Sequence, residues 1–304
     1  MKVLVTGGAG FVASHIVDLL LENTHEVVVV DNLSTGKKEN LNPLSKFYNE
    51  DIISSNLEQI FQNERPDFVI HHAAQIDVQT SIREPLFDAQ ANILGTINLL
   101  QCCVKYGVLK VVYASSAAVY GNPEYLGVDE LHPLKPMSGY GISKHTPEHY
   151  LQVYAELSRL KFTVLRYANI YGPRQDPRGE GGVVAIFTHR LLNGVQPVIF
   201  GDGKQTRDFI YVKDIALANL AALQQGDNAI YNISCNHATD VNSLLAAMQT
   251  ICGTQLSPEY QAARHGDILH SYLDNRKAAQ GLGWQPRFTL EQGLQETISY
   301  YSKP

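Results

Sequence analysis

The chain has 304 residues, room for one large α/β domain and a smaller companion. Hydrophobic residues make up 44%, charged residues 18%, and the formal net charge is −6, a balance that argues against nucleic-acid and anionic-membrane partners, which favour basic proteins. The four cysteines, Cys102, Cys103, Cys235 and Cys252, form no C-x-x-C pair; reduced thiols in a cytoplasmic protein are expected, not a disulfide framework or a zinc site.

The first run, "KVLVT" (2–6), reads as a buried strand. Glycines interrupt it too soon for a signal peptide, and no later run approaches the roughly 20 apolar residues of a membrane span. "TGGAGFVASH" (6–15) then opens a helix expected over 11–22. Gly7, Gly8 and Gly10 clear side chains from a turn that backbone must share with a pyrophosphate, whose charge faces the helix N-terminus. Ala13 stands where the fingerprint has its third glycine, a position that only packs helix on strand. The second strand, "EVVVV" (26–30), ends at Asp31, about 20 residues on, where a carboxylate grips a ribose diol. That carboxylate would repel a 2′-phosphate, so NAD is expected rather than NADP.

Strands follow at 68–72, 110–115 and 162–167, alternating with helices at about 85–106 and 138–158. Strand–helix alternation with continuous apolar strands predicts an α/β fold, a doubly wound parallel sheet of the Rossmann type. His71 and His72 should point to opposite faces of their strand. Ser115 and Ser116 close the strand "KVVYAS", whose carboxyl end faces the ligand crevice; both are expected on the substrate side. In "YGISK" (140–144), Tyr140 and Lys144 lie one helical turn apart on one face. A free tyrosine has a pKa of about 10; the Lys144 ammonium and a cationic nicotinamide should bring Tyr140 down, fitting it to take and return a hydroxyl proton.

Beyond residue 168 the rhythm changes. "NIYGPRQDPRGEGG" (169–182) reads as a long loop, followed by helices near 183–193, 213–225, 240–252 and 289–301. Asp240 is the expected cap of the third. The division expected is residues 1–168 for the NAD-binding domain and 169–304 for a smaller C-terminal α/β domain that binds a nucleotide sugar, with an interleaved boundary. Pro147 falls within the second long helix or near its first turn and removes one donor. His145 and His149 share metal-pair spacing, but Glu148 is misplaced for H-E-x-x-H, and no metal is expected.

These motifs, with "DNLSTGKKENL" (31–41), "HHAAQIDVQTSIREP" (71–85), "SSAAVYG" (115–121), "LRYANIYGPR" (165–174), "GDGKQTRDFIYVKDIA" (201–216) and "RHGDI" (264–268), run nearly the whole chain. Together they resemble the extended short-chain dehydrogenase/reductase family, and within it the UDP-glucose (UDP-galactose) 4-epimerase group. The resemblance implies Ser116, Tyr140 and Lys144 as catalytic residues. It implies NAD contacts from Gly7, Gly10, Phe11 and Val12, from Asp31, Asn32, Ser34 and Gly36, and from Asp51 and Ile52 beside the adenine. Ala73, Ala74 and Gln75 would lie under the pyrophosphate, with Asn92, Ser115, Tyr140, Lys144 and Tyr167 as further contacts. The UDP-sugar would meet Ser116, Asn169, Arg207, Arg264 and Asp267, with Val198 and Phe200 beside the uracil. Ser271 would line the hexose pocket and leave room for a 2-acetamido group, admitting UDP-GlcNAc and UDP-GalNAc. A homodimer paired through the helices at about 85–106 and 138–158 is implied as well.

Related enzymes on this scaffold place an acid after the strand-end serine or threonine for elimination or decarboxylation. Here Ala117 and Ala118 follow Ser116, so epimerisation at C4 is preferred. The alternatives are another NAD-dependent nucleotide-sugar enzyme, such as a UDP-glucuronate 4-epimerase or decarboxylase, and a non-catalytic NAD-binding regulator.

Overall fold

The protein is described here from a computed structural model covering residues 1–178, 182–263 and 268–302. In chain order the large region holds β1 (Lys2–Thr6), α1 (Phe11–Glu22), β2 (Glu26–Asp31), β3 (Lys46–Asn49), α2 (Leu57–Glu64), β4 (Phe68–His71), α3 (Val78–Arg83), α4 (Pro85–Ala89), α5 (Gly95–Tyr106), β5 (Lys110–Ser116), α6 (Gly139–Leu157) and β6 (Lys161–Tyr167). There follow β7 (Asn169–Tyr171), α7 (Val183–Leu192), β8 (Val198–Phe200), β9 (Thr206–Arg207), β10 (Phe209–Tyr211), α8 (Val212–Gln224), β11 (Ala229–Ile233), β12 (Thr239–Asp240), α9 (Val241–Cys252), β13 (Glu259–Gln261), α10 (Arg276–Leu282) and α11 (Leu290–Tyr301).

Seven strands form one sheet in the order β11-β6-β5-β4-β1-β2-β3, and every pairing in it is parallel. This is the doubly wound sheet that strand–helix alternation requires. Its inner strands are buried on both faces, which is why "EVVVVD" carries β-branched residues without alternation. One face packs Ile16, Val17 and Leu20 of α1 with Ala218, Ala222 and Leu223 of α8. The other packs Leu57, Ile60 and Phe61 of α2 with Leu99 and Leu100 of α5 and Leu151 of α6. Each such valine, leucine, isoleucine or phenylalanine contributes about 1.5–3 kcal/mol on burial. A third core joins α7, α9 and α11 around Phe187, Leu244, Met248 and Leu294.

The chain order reverses between β1 and β4, so a crevice opens at their carboxyl ends. Local chemistry sets the helix ends around it. Asp240 accepts from the Ser243 N–H to start α9, as its sequence suggests. Thr289 and Gln292 form a capping box before α11.

Several elements escape the sequence pattern, α3 and the strand β7 at the head of the expected 169–182 loop among them. β3 and β11 are the outermost strands of the sheet, and "KFYN" and "AIYNI" have too little apolar run to stand out. The short helices α2 and α10 were equally unmarked. The helix expected over 85–106 is three pieces, with a π-helical turn at Gln90–Leu94 between α4 and α5. Such turns gather at functional sites, and this one carries Asn92. Pro147 lies inside α6, which continues through it to Leu157.

Candidate functional site

The glycine turn after β1 is built for close approach. Gly7 has φ +72°, and a methyl group there would fall 2.8 Å from the Ala73 backbone nitrogen. Gly10 caps α1 without a side chain, no acid sits in the first turn, and Phe11 and Val12 begin the helix half-buried. The positive end of the helix therefore faces the crevice unneutralised, a fit for a pyrophosphate. Ala13 is buried under the turn.

Asp31 ends β2, buried, its carboxylate accepting from the Ala9 N–H at 3.0 Å and the Leu33 N–H at 2.8 Å. Burial raises its pKa and these two donors oppose the rise. Each oxygen keeps a further lone pair, which a ribose diol can use. Gly36 packs on this carboxylate: a methyl there would meet Oδ1 at 2.8 Å. Asn32 and Ser34 are exposed beside it, and the Asn32 amide donates to Asp51 at 2.7 Å. Ile52 is buried against Gly95. The residues present fit a dinucleotide with a free ribose diol.

After β4, Ala73, Ala74 and Gln75 line the turn at partial exposure. Asn92 lies behind them, 2% exposed. Its Oδ1 accepts from the Gln75 N–H at 2.7 Å, and its amide donates to the Gln75 carbonyl at 2.9 Å and to Ser143 Oγ at 2.8 Å. Asn92 thus ties the turn to α6. His71 and His72 do point to opposite faces. His71 joins Thr6 and Thr96, whereas His72 joins Asn219 and the Tyr167 hydroxyl. Burial pushes both imidazoles down to about 3, so both are neutral.

The reactive constellation forms where α6 meets the end of β5. Ser138 caps α6 through the Gly141 N–H at 3.1 Å. Gly141 lets the helix press on the strand end; a methyl there would fall 2.7 Å from the Ala118 carbonyl oxygen. The Ser116 hydroxyl consequently hydrogen-bonds the Tyr140 phenol while accepting from the Ala118 N–H at 3.1 Å. Lys144, one turn on, is 4% exposed, its ammonium 4.9 Å from the Tyr113 ring centre.

Two expectations are corrected here. Ser115 does not reach the substrate side. Strand pleating turns it away from the cleft, and its hydroxyl donates to Glu148 Oε1 at 2.6 Å. Nor is the Tyr140 pKa lowered in this structure. Burial raises it and Asp88 adds to the rise, with only the Ser116 hydrogen bond opposing. Burial also brings Lys144 down to about 8, so the pair sits in an environment that disfavours charge on both members.

A cavity of about 190 Å³ opens from Ser116 and is lined by Ala117, Ala118, Tyr167, Asn169, Arg207 and Ser271 among others. Five expected site residues from separate stretches of the chain therefore share one wall system. Asp208, buried behind Arg207, holds the Cys235 and Leu273 N–H groups at 2.8 and 3.3 Å and fixes this side. Burial pushes its carboxyl up to about 6. Val198 and Phe200 lie on β8, paired with β13, outside the cavity lining. Arg264 and Asp267 lie outside the described residues. Among the described residues no three His, Cys, Asp or Glu side chains gather for a metal; His145 and His149 meet each other, Nε2 to Nε2, at 3.0 Å.

Glu148, Arg166, Asn219 and Asp88 were not anticipated. For Glu148 a signal existed, since it continues the Tyr140–Lys144 spacing by one more turn.

Residues 3–234 match the family model of the NAD dependent epimerase/dehydratase family. Among solved structures, the chain is similar to the UDP-glucose 4-epimerase of Thermotoga maritima with UDP-glucose, at 48% identity and TM-score 0.97, covering 99% of this chain and 98% of that one. It is similar to the Thermus thermophilus UDP-glucose 4-epimerase complex with NAD, at 41% identity and TM-score 0.93, covering 99% of each. The UDP-N-acetylglucosamine 4-epimerase of Methanobrevibacter ruminantium, in complex with UDP-N-acetylmuramic acid, is similar at 36% identity and TM-score 0.95, covering 99% and 97%. With a family model matched over residues 3–234, most of its length, the chain belongs to the NAD dependent epimerase/dehydratase family.

Proposed function

We propose that this protein inverts C4 of UDP-hexoses, interconverting UDP-glucose and UDP-galactose through a 4-keto sugar with NAD held throughout. The observation that carries this reading is the strand end. Ser116 meets Tyr140 at the mouth of a cavity walled by Asn169, Arg207 and Ser271, and the next two side chains are the methyl groups of Ala117 and Ala118. Methyl groups move no proton, so a second acid for elimination is missing from the place where related enzymes put it.

The turn at Gly7–Val12 and the α1 N-terminus would hold the pyrophosphate, and Asp31 the ribose diol. Bound NAD supplies a reversible hydride acceptor. Tyr140 takes the C4 hydroxyl proton and returns it after the sugar has turned over. Ser116 orients the phenol oxygen, and the Lys144 ammonium stabilises the phenolate. Arg207, with Arg264, suits the diphosphate oxygens, and Asn169 and Asp267 suit the sugar hydroxyls. Val198 and Phe200 flank the uracil. Ser271 leaves room for a 2-acetamido group, so N-acetylated UDP-hexoses are substrates too. In this reading residues 1–168 serve NAD and residues 169–304 serve the nucleotide sugar, with α8 and β11 crossing back to the large sheet.

Two copies pair through α5 and α6, whose outward faces expose Val104, Ile142, Val153 and Leu157, with Leu94 exposed on the turn before α5. The setting is the cytoplasm, in keeping with four free thiols; no helix among the described residues is long and apolar enough to cross a membrane.

The test is proton NMR of UDP-galactose mixed with the purified protein, no cofactor added. The UDP-glucose anomeric signal should grow without loss of sugar. No change, even after NAD is supplied, would overturn the reading.

A further inference from the structure

One pair of side chains on the reactive helix takes no part in the proposed reaction. His145 and His149 lie one turn apart on α6, on the same face, and their Nε2 atoms are 3.0 Å apart. His149 is exposed and the His145 side chain is 20% exposed, so water reaches both. Behind them Glu148 is 1% exposed. Its Oε2 accepts from Arg166 Nη2 at 2.6 Å and meets His145 Nδ1 at 3.2 Å. Paired with a guanidinium, this carboxylate is ionised and can only accept, so His145 Nδ1 carries the proton of its ring. The neutral ring then has a bare lone pair on Nε2, the atom that meets His149.

The distances favour a shared ion. A straight N–H···N bond of this length would set the ring centres about 5.3 Å apart. Two imidazoles on one ion, each nitrogen about 2.0–2.1 Å from it, would set them about 4.7 Å apart. They are 4.5 Å apart, so the contact is bent toward the second arrangement. Nitrogens 3.0 Å apart subtend about 90–100° at an ion held at those lengths, whereas a tetrahedral ion would set them about 3.3–3.4 Å apart. Right-angled positions suit tetragonal Cu²⁺ or Ni²⁺, with water in the remaining places. To bind, His149 passes its ring proton from Nε2 to Nδ1, a tautomer change on an exposed ring with no net proton lost. The Glu148 bond to Nδ1 orients the His145 ring and raises its basicity, as carboxylates behind metal-bound histidines do.

We propose that His145 and His149 form a two-histidine site for a tetragonal divalent transition-metal ion, Cu²⁺ above all, on the outer side of the helix that carries Tyr140 and Lys144. Glu148 supports the site from behind without ligating. Neither histidine lines the cavity of Ser116, Asn169 and Arg207, so the ion is no part of the sugar chemistry.

The test titrates the full chain, first stripped with EDTA, with Cu²⁺ near neutral pH, using glycine as a competing ligand. The chain has 11 histidines, so the assignment rests on a difference between the parent, His145→Ala and His149→Ala. The parent should take up one equivalent that each variant binds about 10²-fold more weakly, the gain of two linked ligands over one. EPR of the parent at that equivalent should show a tetragonal Cu²⁺ signal split by two imidazole nitrogens, and neither variant should show it. Ni²⁺ and Zn²⁺ should bind the parent more weakly than Cu²⁺. Thermal melts should rise with added Cu²⁺ in the parent and not in His149→Ala. His149 is exposed, so its truncation leaves the fold intact; should His145→Ala fail to fold, His149→Ala decides alone. Parent and His149→Ala binding Cu²⁺ alike, in number and strength, would overturn the proposal, as would a parent signal from a single nitrogen. No sugar enters the titration, so its outcome is separate from the fate of the epimerase reading.

Discussion

The cleft has two walls of different construction. The reactive wall rests on a seven-residue strand and a 19-residue helix. Behind it the Glu148–Arg166 pair, each side chain 2% exposed, locks α6 to β6, while Ser115 locks it to β5. The sugar wall rests on strands of two and three residues, and Asn169, Arg207 and Ser271 are partly or well exposed. Proton and hydride transfer tolerate little misplacement, so the atoms that perform them sit on rigid, well-packed elements. Selection among sugars needs only shape and a few contacts, and short elements can vary to supply them.

If that contrast holds, damage to the reactive wall should remove chemistry or folding, and damage to the sugar wall should change preference. Tyr140→Phe is the sharpest case. It should lower kcat by about 10³-fold or more, at the upper end of general acid–base effects, while calorimetry still records UDP binding. A variant that kept its turnover would break the comparison at its centre. Arg166→Met touches no substrate, yet it strands Glu148 in the interior. It should cost about 3–5 kcal/mol in urea unfolding, and adding Glu148→Met should recover much of that.

Lys144→Met should separate function from stability. The Lys144 pKa lies near 8 in the folded protein and at 10.5 when unfolded. The unfolded chain therefore holds more protons between these values, and stability rises with pH across that window. Below about pH 8 the whole penalty of burying the charge is present. Methionine removes it, so the variant should lose turnover yet gain about 3 kcal/mol at pH 7, a gain that fades by about pH 10.5. Thermal melts at pH 7 and pH 10 would check both sign and window.

How much of this could be read from the sequence also divides along the two walls. The turn at Gly7–Gly10, Asp31 and the Tyr140–Lys144 spacing are local patterns whose meaning a few neighbouring residues determine. β1, β2 and β5 were legible because strands buried on both faces cannot hide polar residues. β3 and β11, at the sheet margins, lack that constraint. Ser115 was misplaced because residue type and strand end say little about which face of the pleat a hydroxyl takes. The partners of the reactive pair were harder still. Asp88 and Arg166 come from distant stretches, and only packing brings Asp88 near Lys144 and Arg166 onto Glu148. The lowered tyrosine pKa failed for the same reason: spacing supplies the lysine, but burial sets the size and sign of the shift.

The smallest effect expected is also the most selective. Ser271 lines the cavity with Asn169 and Arg207, and its N–H reaches the Thr206 carbonyl at 3.3 Å. That backbone tie survives any side-chain change, so a substitution here alters the pocket without loosening the wall. Ser271→Tyr adds an aromatic ring to a cavity of about 190 Å³. UDP-galactose, with only a hydroxyl at C2, should lose a few-fold in kcat/KM. UDP-N-acetylgalactosamine carries an acetamido group there, and steric exclusion should lower its kcat/KM about 10- to 100-fold, the range in which pockets discriminate by size. The ratio of the two constants is the measurement, because it cancels any loss of folded protein. An unchanged ratio would mean that the 2-acetamido group lies away from Ser271 and that the sugar wall gains its selectivity elsewhere.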